Sequence, residues 1–106
     1  MPRTRIDGGR VIDVNDEGFL TDYDQWDEDL ARTLAGYAGV EELTDEHWKV
    51  LHFLRGDFPE RKETATLRRA SVVGGFPMKE LFRLFPGKPA KKMSYIAGLP
   101  KPKGCV

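Results

Sequence analysis

The chain has 106 residues, of which 40% are hydrophobic and 32% charged, a composition that fits one folded domain with a modest core rather than a disordered chain. No apolar run approaches the roughly 18 to 20 residues needed to cross a bilayer, and no secretory signal is visible, so we expect a cytoplasmic protein. The single cysteine excludes an internal disulfide and a cysteine-built zinc or iron–sulfur site within one chain. We expect a monomer without a cofactor.

The net charge of zero hides a strong asymmetry along the chain. Residues 1–60 hold 6 Lys and Arg against 15 Asp and Glu, a net charge of −9. Residues 61–106 hold 11 against 2, a net charge of +9. Either the two halves pack against each other with complementary charge, or the basic half contacts an acidic partner such as RNA, DNA or an acidic protein surface.

The first 20 residues predict a β-hairpin region. Short apolar pieces flank the pair Gly8-Gly9, which favours a tight turn between two strands. A second turn at 15–18 leads into Phe19 and Leu20, which indicates a third short strand.

Residues 24–87 are predicted to form a helical core. Apolar spacing predicts a first helix from Trp26 to Tyr37, and a second over 43–55 with Thr44 as N-cap and an end at Gly56 and Pro59. The apolar face of the second helix includes His47.

Two further helices are predicted in the basic half. One lies near 64–73 and the other is opened by Pro77, and the break 74–76 separates them. The apolar face of the later helix is formed by Met78, Leu81, Phe82 and Phe85. The pair resembles a helix-turn-helix, so the fold class is mainly α (α+β), with an N-terminal β-hairpin and about four or more helices.

Residues 88–106 are predicted to be a mobile C-terminal arm, because prolines and glycines interrupt any period there. Pro100 and Pro102 stiffen this arm, and Gly98 and Gly104 leave hinges near its ends. The seven steps from Gly98 to Cys105 could reach roughly 23 Å. The whole chain is thus one domain, 1–106, whose arm can deliver Cys105 to a partner.

A thiol one residue from the end of a flexible arm is accessible, and a thiolate is the nucleophile of sulfur chemistry. Lys101 and Lys103 favour the thiolate, whereas the carboxylate of Val106 opposes it. A persulfide on Cys105 would carry one sulfur atom that a second thiolate could remove. The alternative is a tail thiol without a function.

Four sequence blocks form a recognisable pattern. The first is the tail 96–102 followed by Gly104-Cys105-Val106. The others are Gly18-Phe19-Leu20 ahead of Trp26, the segment 43–55 with its Glu46-His47-Trp48, and Leu84-Phe85-Pro86 with Pro89-Ala90. Together they resemble the DsrC/TusE family, which comprises the gamma subunit of dissimilatory sulfite reductase and the TusE sulfur-relay proteins.

The resemblance implies a small α-helical fold with an N-terminal hairpin and a persulfide carried on Cys105. Members of the DsrC branch have a second cysteine eleven residues earlier, where this chain has Ser94. A trisulfide between two cysteines of this chain is therefore unavailable, and a one-cysteine shuttle of the TusE kind is favoured. By resemblance, sulfur arrives from a TusBCD-like complex and leaves toward the enzyme that makes 2-thiouridine in tRNA, in a sulfurtransferase-type relay rather than stand-alone catalysis.

Other readings stay open. The protein could be a DsrC-type partner of a dissimilatory sulfite reductase or sulfur-oxidation system, or a regulator that binds such an enzyme without transferring sulfur. The helix-turn-helix-like region also allows a DNA-binding regulator, although the second of its helices has no Asn, Gln or Ser to read base edges.

Arg68, Lys91 and Lys92 are candidates for a basic rim around the arm that attracts the thiolate or persulfide. No metal site is predicted, because His47 and His52 are five residues apart and do not share one helical face. Trp26 and Trp48 are predicted to pack in the core.

Overall fold

The computed structural model describes residues 3–6 and 9–103, and it is mostly helical with one two-stranded hairpin. Strands β1 (Arg3–Arg5) and β2 (Val11–Asp13) pair antiparallel, with Arg3 opposite Asp13. The predicted N-terminal hairpin is therefore confirmed. The predicted third strand is reduced to a single bridge between Val14 and Leu20.

Helix α1 (Glu28–Tyr37) follows a short 3-10 helix (Tyr23–Gln25) and begins where the sequence places acidic residues. The Asp27 carboxylate caps it by accepting the Leu30 amide hydrogen at 2.8 Å, and this bond, with the nearby Arg10, lowers the pKa of Asp27. Leu30 and Leu34 face the hairpin and close a small apolar cluster over it. The hairpin is thereby anchored to the helical body.

Helix α2 (Asp45–Arg61) begins after Thr44 as predicted but runs past Gly56 and Pro59, so the predicted end near Arg55 is wrong. A proline inside a helix leaves the carbonyl four residues earlier without its amide partner. Here that carbonyl belongs to Arg55, and the Tyr23 hydroxyl donates to it at 2.7 Å. A side chain 32 residues away thus satisfies the group that Pro59 cannot.

Helices α3 (Leu67–Val72) and α4 (Met78–Leu84) occupy the predicted positions around the break at 74–76. Leu81, Leu84 and Phe85 are buried, but Met78 is 39% and Phe82 50% exposed. The predicted apolar face of α4 is therefore only partly correct. Leu81 and Leu84 are three residues apart and face the core, whereas Phe82 is rotated from Leu81 by about 100° toward solvent.

Helix α5 (Pro89–Ile96) replaces the first part of the predicted arm. Pro89 occupies the first turn, where its missing N–H costs nothing, so this proline starts a helix instead of preventing one. Met93, Ile96 and Leu99 are fully buried. The prediction that residues 88–106 form an arm is therefore wrong for residues 89–99, which contain α5 and pack into the core.

The core lies where α5 packs against α1 and α2, with α3 and α4 closing one end. Its largest fully buried side chains are Phe19, Phe85, Ile12, Leu30, Leu51, Leu54, Leu81, Met93, Ile96 and Leu99. Across the described part of the chain, no helix is long and apolar enough to cross a membrane.

Candidate functional site at the root of the tail

The tail is defined here as residues 100–106, and the structure describes it as far as Lys103. Gly104 and Cys105, the predicted hinge and sulfur carrier, lie outside the described residues. The described part of the site is therefore the root from which the tail leaves the body, together with the surface beside it.

The end of α5 fixes where the tail begins. The Gly98 amide donates to the Tyr95 carbonyl at 3.1 Å, and the Leu99 amide donates to the Ser94 carbonyl at 3.0 Å. This paired arrangement is the Schellman motif, which needs a left-handed residue, and Gly98 supplies it with φ +69°. A Cβ at this position would lie 2.5 Å from Cδ1 of Trp26. Gly98 is thus a rigid helix cap packed against Trp26, which replaces the predicted hinge at this residue.

Two side chains hold the last carbonyls of α5. Trp26 donates from Nε1 to the Ile96 carbonyl at 2.9 Å, and Arg55 donates from Nη1 to the Ala97 carbonyl at 2.9 Å. Arg55 also donates to the Tyr23 carbonyl at 2.6 Å. A cation near the negative end of a helix dipole is electrostatically favourable. The hydrogen bonds also give partners to buried donors and carbonyls that would otherwise be left unsatisfied.

Arg55 is a buried cation whose neighbours are aromatic rings. Its guanidinium carbon lies 3.8 Å from the centroid of the Tyr23 ring and 4.4 Å from that of Trp26. Burial lowers the pKa of Arg55, while the phenol of Tyr23 and the carboxyl of Asp24 act in the opposite direction. Sequence reasoning missed this residue. The sequence feature that could have predicted its burial is its position one helical turn after Leu51, which places a charged residue at the edge of an apolar helix face.

Three contacts hold the described tail against the body. The Thr64 hydroxyl donates to the Pro100 carbonyl at 2.6 Å, Lys101 Nζ lies 3.3 Å from a carboxylate oxygen of Glu17, and Lys103 Nζ lies 3.5 Å from one of Glu63. Glu17 and Glu63 come from different parts of the chain, so the tail contacts two separate segments of the body. Exposed ion pairs of this kind contribute little each, and a partner can exchange them.

The side chain of Pro102 is buried, and together with Lys103 it lines a groove of about 380 Å³. The groove has apolar walls that include Phe82 and the first turn of α5, and it carries Arg68 and Lys88. Arg68, a residue of the predicted basic rim, thus lies beside the described tail. Lys88 was not predicted.

Lys91 and Lys92, the other two residues of the predicted rim, line a separate groove of about 370 Å³ with Glu17 and Tyr95. Lys88 belongs to both grooves. The predicted single rim is therefore divided into two basic surfaces on either side of Lys88. Burial raises the pKa of the Tyr95 phenol, so this group stays protonated.

Ser94, at the position of the second cysteine in DsrC-branch proteins, is fully buried in α5. Its hydroxyl donates to the Ala90 carbonyl one turn earlier at 2.7 Å. The side chain is thus satisfied within the helix and is separated from solvent.

The two histidines have unrelated environments. His47 accepts the Thr44 amide hydrogen at Nδ1, at 3.0 Å, and its Nε2 lies 2.8 Å from the Leu84 carbonyl, so Nε2 is the protonated nitrogen. His52 is exposed beside the ring of Trp48. Within residues 3–6 and 9–103, no three His, Asp or Glu side chains are grouped to hold a metal ion.

Comparisons with known proteins agree on one family. Residues 7–106 match the family model described as DsrC like protein. The chain is similar to the dissimilatory-type sulfite reductase subunit gamma of Nitratidesulfovibrio vulgaris, at 33% identity over 92% of this chain and 93% of that protein. It is similar to the sulfurtransferase TusE of Yersinia pseudotuberculosis, at 37% identity over 92% and 96%. The oxidized gamma subunit of dissimilatory sulfite reductase from Archaeoglobus fulgidus superposes with a TM-score of 0.75 at 35% identity, over 99% of this chain and all of that one.

Proposed function

Because the chain belongs to the DsrC-like family, we propose that it is a sulfur carrier that accepts and passes on one sulfur atom as a persulfide on Cys105. The observation that carries the proposal is the attachment of the tail to the body, because its last described residue, Lys103, lies at a basic groove. Cys105 follows Lys103 by two residues, so their Cα atoms are at most about 7 Å apart. Chain geometry thus allows the thiol to approach the positive charge at this groove.

The proposed transfer needs no oxidant. The Cys105 thiolate attacks the outer sulfur of a donor persulfide, the sulfur–sulfur bond of the donor breaks, and the donor leaves as a thiolate. A new sulfur–sulfur bond forms on Cys105, and the same exchange in reverse order hands the sulfur to an acceptor thiolate. Arg68 and Lys88 favour the anionic thiolate and persulfide over their protonated forms.

We favour a relay of the TusE kind. Cys105 is the single cysteine, and the position of the second DsrC-branch cysteine is held by Ser94, so this chain has no second thiol to take over the sulfur. In this reading a TusBCD-like complex is the donor, and the enzyme that makes 2-thiouridine in tRNA is the acceptor.

The alternative is a DsrC-type partner of a dissimilatory sulfite reductase or a sulfur-oxidation system. The observation that favours it is the similarity to the gamma subunit of that reductase along nearly the whole chain. In this role the missing second cysteine would require a thiol from another molecule to release the sulfur.

The carrier proposal is tested by incubating the protein with glutathione persulfide and measuring its intact mass. We expect a gain of about 32 Da that dithiothreitol reverses and that Cys105→Ala abolishes. A wild-type protein that gains no mass, or a gain that persists in Cys105→Ala, would overturn the proposal.

A complementation experiment separates the two physiological readings. The chain and its Cys105→Ala variant are expressed in a bacterium that lacks TusE, and 2-thiouridine is measured in tRNA. Restoration by the wild type alone supports the relay. Absence of restoration, combined with binding to a purified dissimilatory sulfite reductase, supports the alternative.

A further inference from the structure

Helices α3 and α4 present apolar side chains to solvent beside the tail. Val72 is 73% exposed, Met78 39% and Phe82 50%. Arg68 and Val72 are one turn apart on α3, and Met78 and Phe82 are one turn apart on α4, so each pair shares a helix face. We call the surface formed by these four side chains the α3–α4 face.

The α3–α4 face is continuous with the surface at the tail. Arg68 and Phe82 line the groove that ends at Pro102 and Lys103. Arg68 also lines a second, shallow depression, together with Val72. A molecule that covered Phe82 would therefore lie beside Lys103, the last described residue of the tail.

Two of the cations at this surface, Arg68 and Lys88, have no carboxylate partner within 4 Å in the part of the chain that the structure describes. By contrast, the neighbouring Arg69 makes a bidentate pair with Asp57, with a shortest distance of 2.6 Å. The face thus combines exposed apolar groups with unneutralised positive charge.

We propose that the α3–α4 face is the docking surface for the protein that delivers sulfur to Cys105, and that this protein presents an apolar pocket for Phe82 within an acidic rim. The inference rests on the proposed carrier function and adds the recognition site to it. An aromatic side chain in an apolar pocket, surrounded by charge-complementary contacts, is the usual centre of a protein–protein interface.

A nucleic acid fits the same face less well. Val72, Met78 and Phe82 offer nothing to a phosphate backbone, whose binding depends on cations. On α4, Arg83 is held by Glu80 at 2.5 Å, and the carboxylate of Glu80 would repel phosphate. The apolar groups therefore favour a protein partner.

The test compares sulfur loading of Cys105 from two donors. One donor is glutathione persulfide, which needs no docking, and the other is a purified, persulfide-loaded TusBCD complex. The variants are Phe82→Ala, Arg68→Glu and the matched control Tyr37→Ala, which removes an aromatic side chain of similar exposure from α1. Thermal melts monitored by circular dichroism check that all variants remain folded.

We expect Phe82→Ala and Arg68→Glu to slow loading from TusBCD by about tenfold or more, because interface anchors carry much of the binding energy. Loading from glutathione persulfide should stay within twofold in Phe82→Ala and Tyr37→Ala, whereas Arg68→Glu should slow it as well, because Arg68 also favours the thiolate. Tyr37→Ala should behave as wild type with both donors.

The outcomes that contradict the inference differ from those that contradict the carrier function. If the wild type loads from glutathione persulfide but not from TusBCD, or if Phe82→Ala loads from TusBCD as fast as Tyr37→Ala, the docking surface is refuted and the carrier function stands. Binding of duplex DNA that Arg68→Glu abolishes, with unchanged loading from TusBCD, would assign the face to nucleic acid instead. Failure of the wild type with glutathione persulfide refutes the carrier function itself.

Discussion

The Tyr23 hydroxyl donates to the Arg55 carbonyl at 2.7 Å, and the Arg55 guanidinium donates to the Tyr23 carbonyl at 2.6 Å. This reciprocal pair joins the segment before α1 to the middle of α2. It also gives the Arg55 carbonyl the hydrogen-bond donor that Pro59 cannot provide. The same pair places the Arg55 side chain beneath the end of α5. The length of α2 and the position of the tail therefore depend on the same two residues.

Tyr23→Phe is expected to lower the free energy of unfolding by about 1 to 3 kcal/mol, because the half-buried Arg55 carbonyl loses the hydroxyl that donates to it. Urea denaturation measures the change, and Tyr37→Phe, at an exposed tyrosine, is the control.

A double-mutant cycle gives the sharper check on this explanation. Pro59→Ala restores an amide hydrogen to the helix, so Tyr23→Phe should cost less in that background. An equal cost in both backgrounds would contradict the role assigned to the hydroxyl.

Arg55→Met is expected to destabilise the fold by about 2 kcal/mol, since the carbonyls of Tyr23 and Ala97 both lose a donor. Hydrogen exchange at the Gly98 and Leu99 amides should accelerate more than exchange in α1, because the end of α5 is released. Arg32→Met, at an exposed arginine of α1, should change stability by less than about 0.5 kcal/mol. Equal acceleration across the whole chain would indicate a general loss of stability instead of a local role.

Thr64→Val is expected to loosen the tail, because the Pro100 carbonyl loses the hydroxyl that binds it at 2.6 Å. Limited trypsin digestion at Lys103 measures this release, and mass spectrometry detects the loss of residues 104–106. The bond after Lys101 precedes a proline and resists trypsin.

The same digestion tests the ionic contacts of the tail. Glu63→Gln and added salt should each accelerate cleavage at Lys103, since both weaken the pair between these residues. Thr33→Val, which removes a hydroxyl from the exposed side of α1, is the control for Thr64→Val. Cleavage at the same rate in all variants would show that these contacts do not hold the tail.

The ion pair between Asp57 and Arg69 predicts an acid-sensitive part of the stability. The hydrogen bonds from Arg69 hold the pKa of Asp57 below its usual value, so the carboxylate is favoured in the folded state. Its contribution is complete above the unfolded pKa of about 4, and it is lost as the pH falls through the lower folded value. Asp57→Asn should therefore flatten the decline of unfolding free energy below about pH 4. Asp16→Asn, on an exposed turn, should leave the decline unchanged.

The sequence predicted features that depend on near neighbours. The cap at Thr44, the first turn of α1 and the break between α3 and α4 follow from residues within one or two turns of each other. Family membership followed from short motifs, and the role of Cys105 stays a prediction that rests on the same motifs. Arg68 lines the groove beside the described tail, and its predicted part in a basic rim around the thiol stays a prediction.

Tertiary structure alone decided the features that depend on distant partners. Pro59 stays inside α2 because a hydroxyl 32 residues before Arg55 satisfies that carbonyl, and no local pattern contains this information. Residues 89–99 join the core because α1 and α2 offer an apolar surface and the donors of Trp26 and Arg55. Local periodicity predicts which secondary structure a segment prefers. Burying the backbone carbonyls of that segment requires hydrogen-bond donors from distant residues, and only the folded chain brings those donors near.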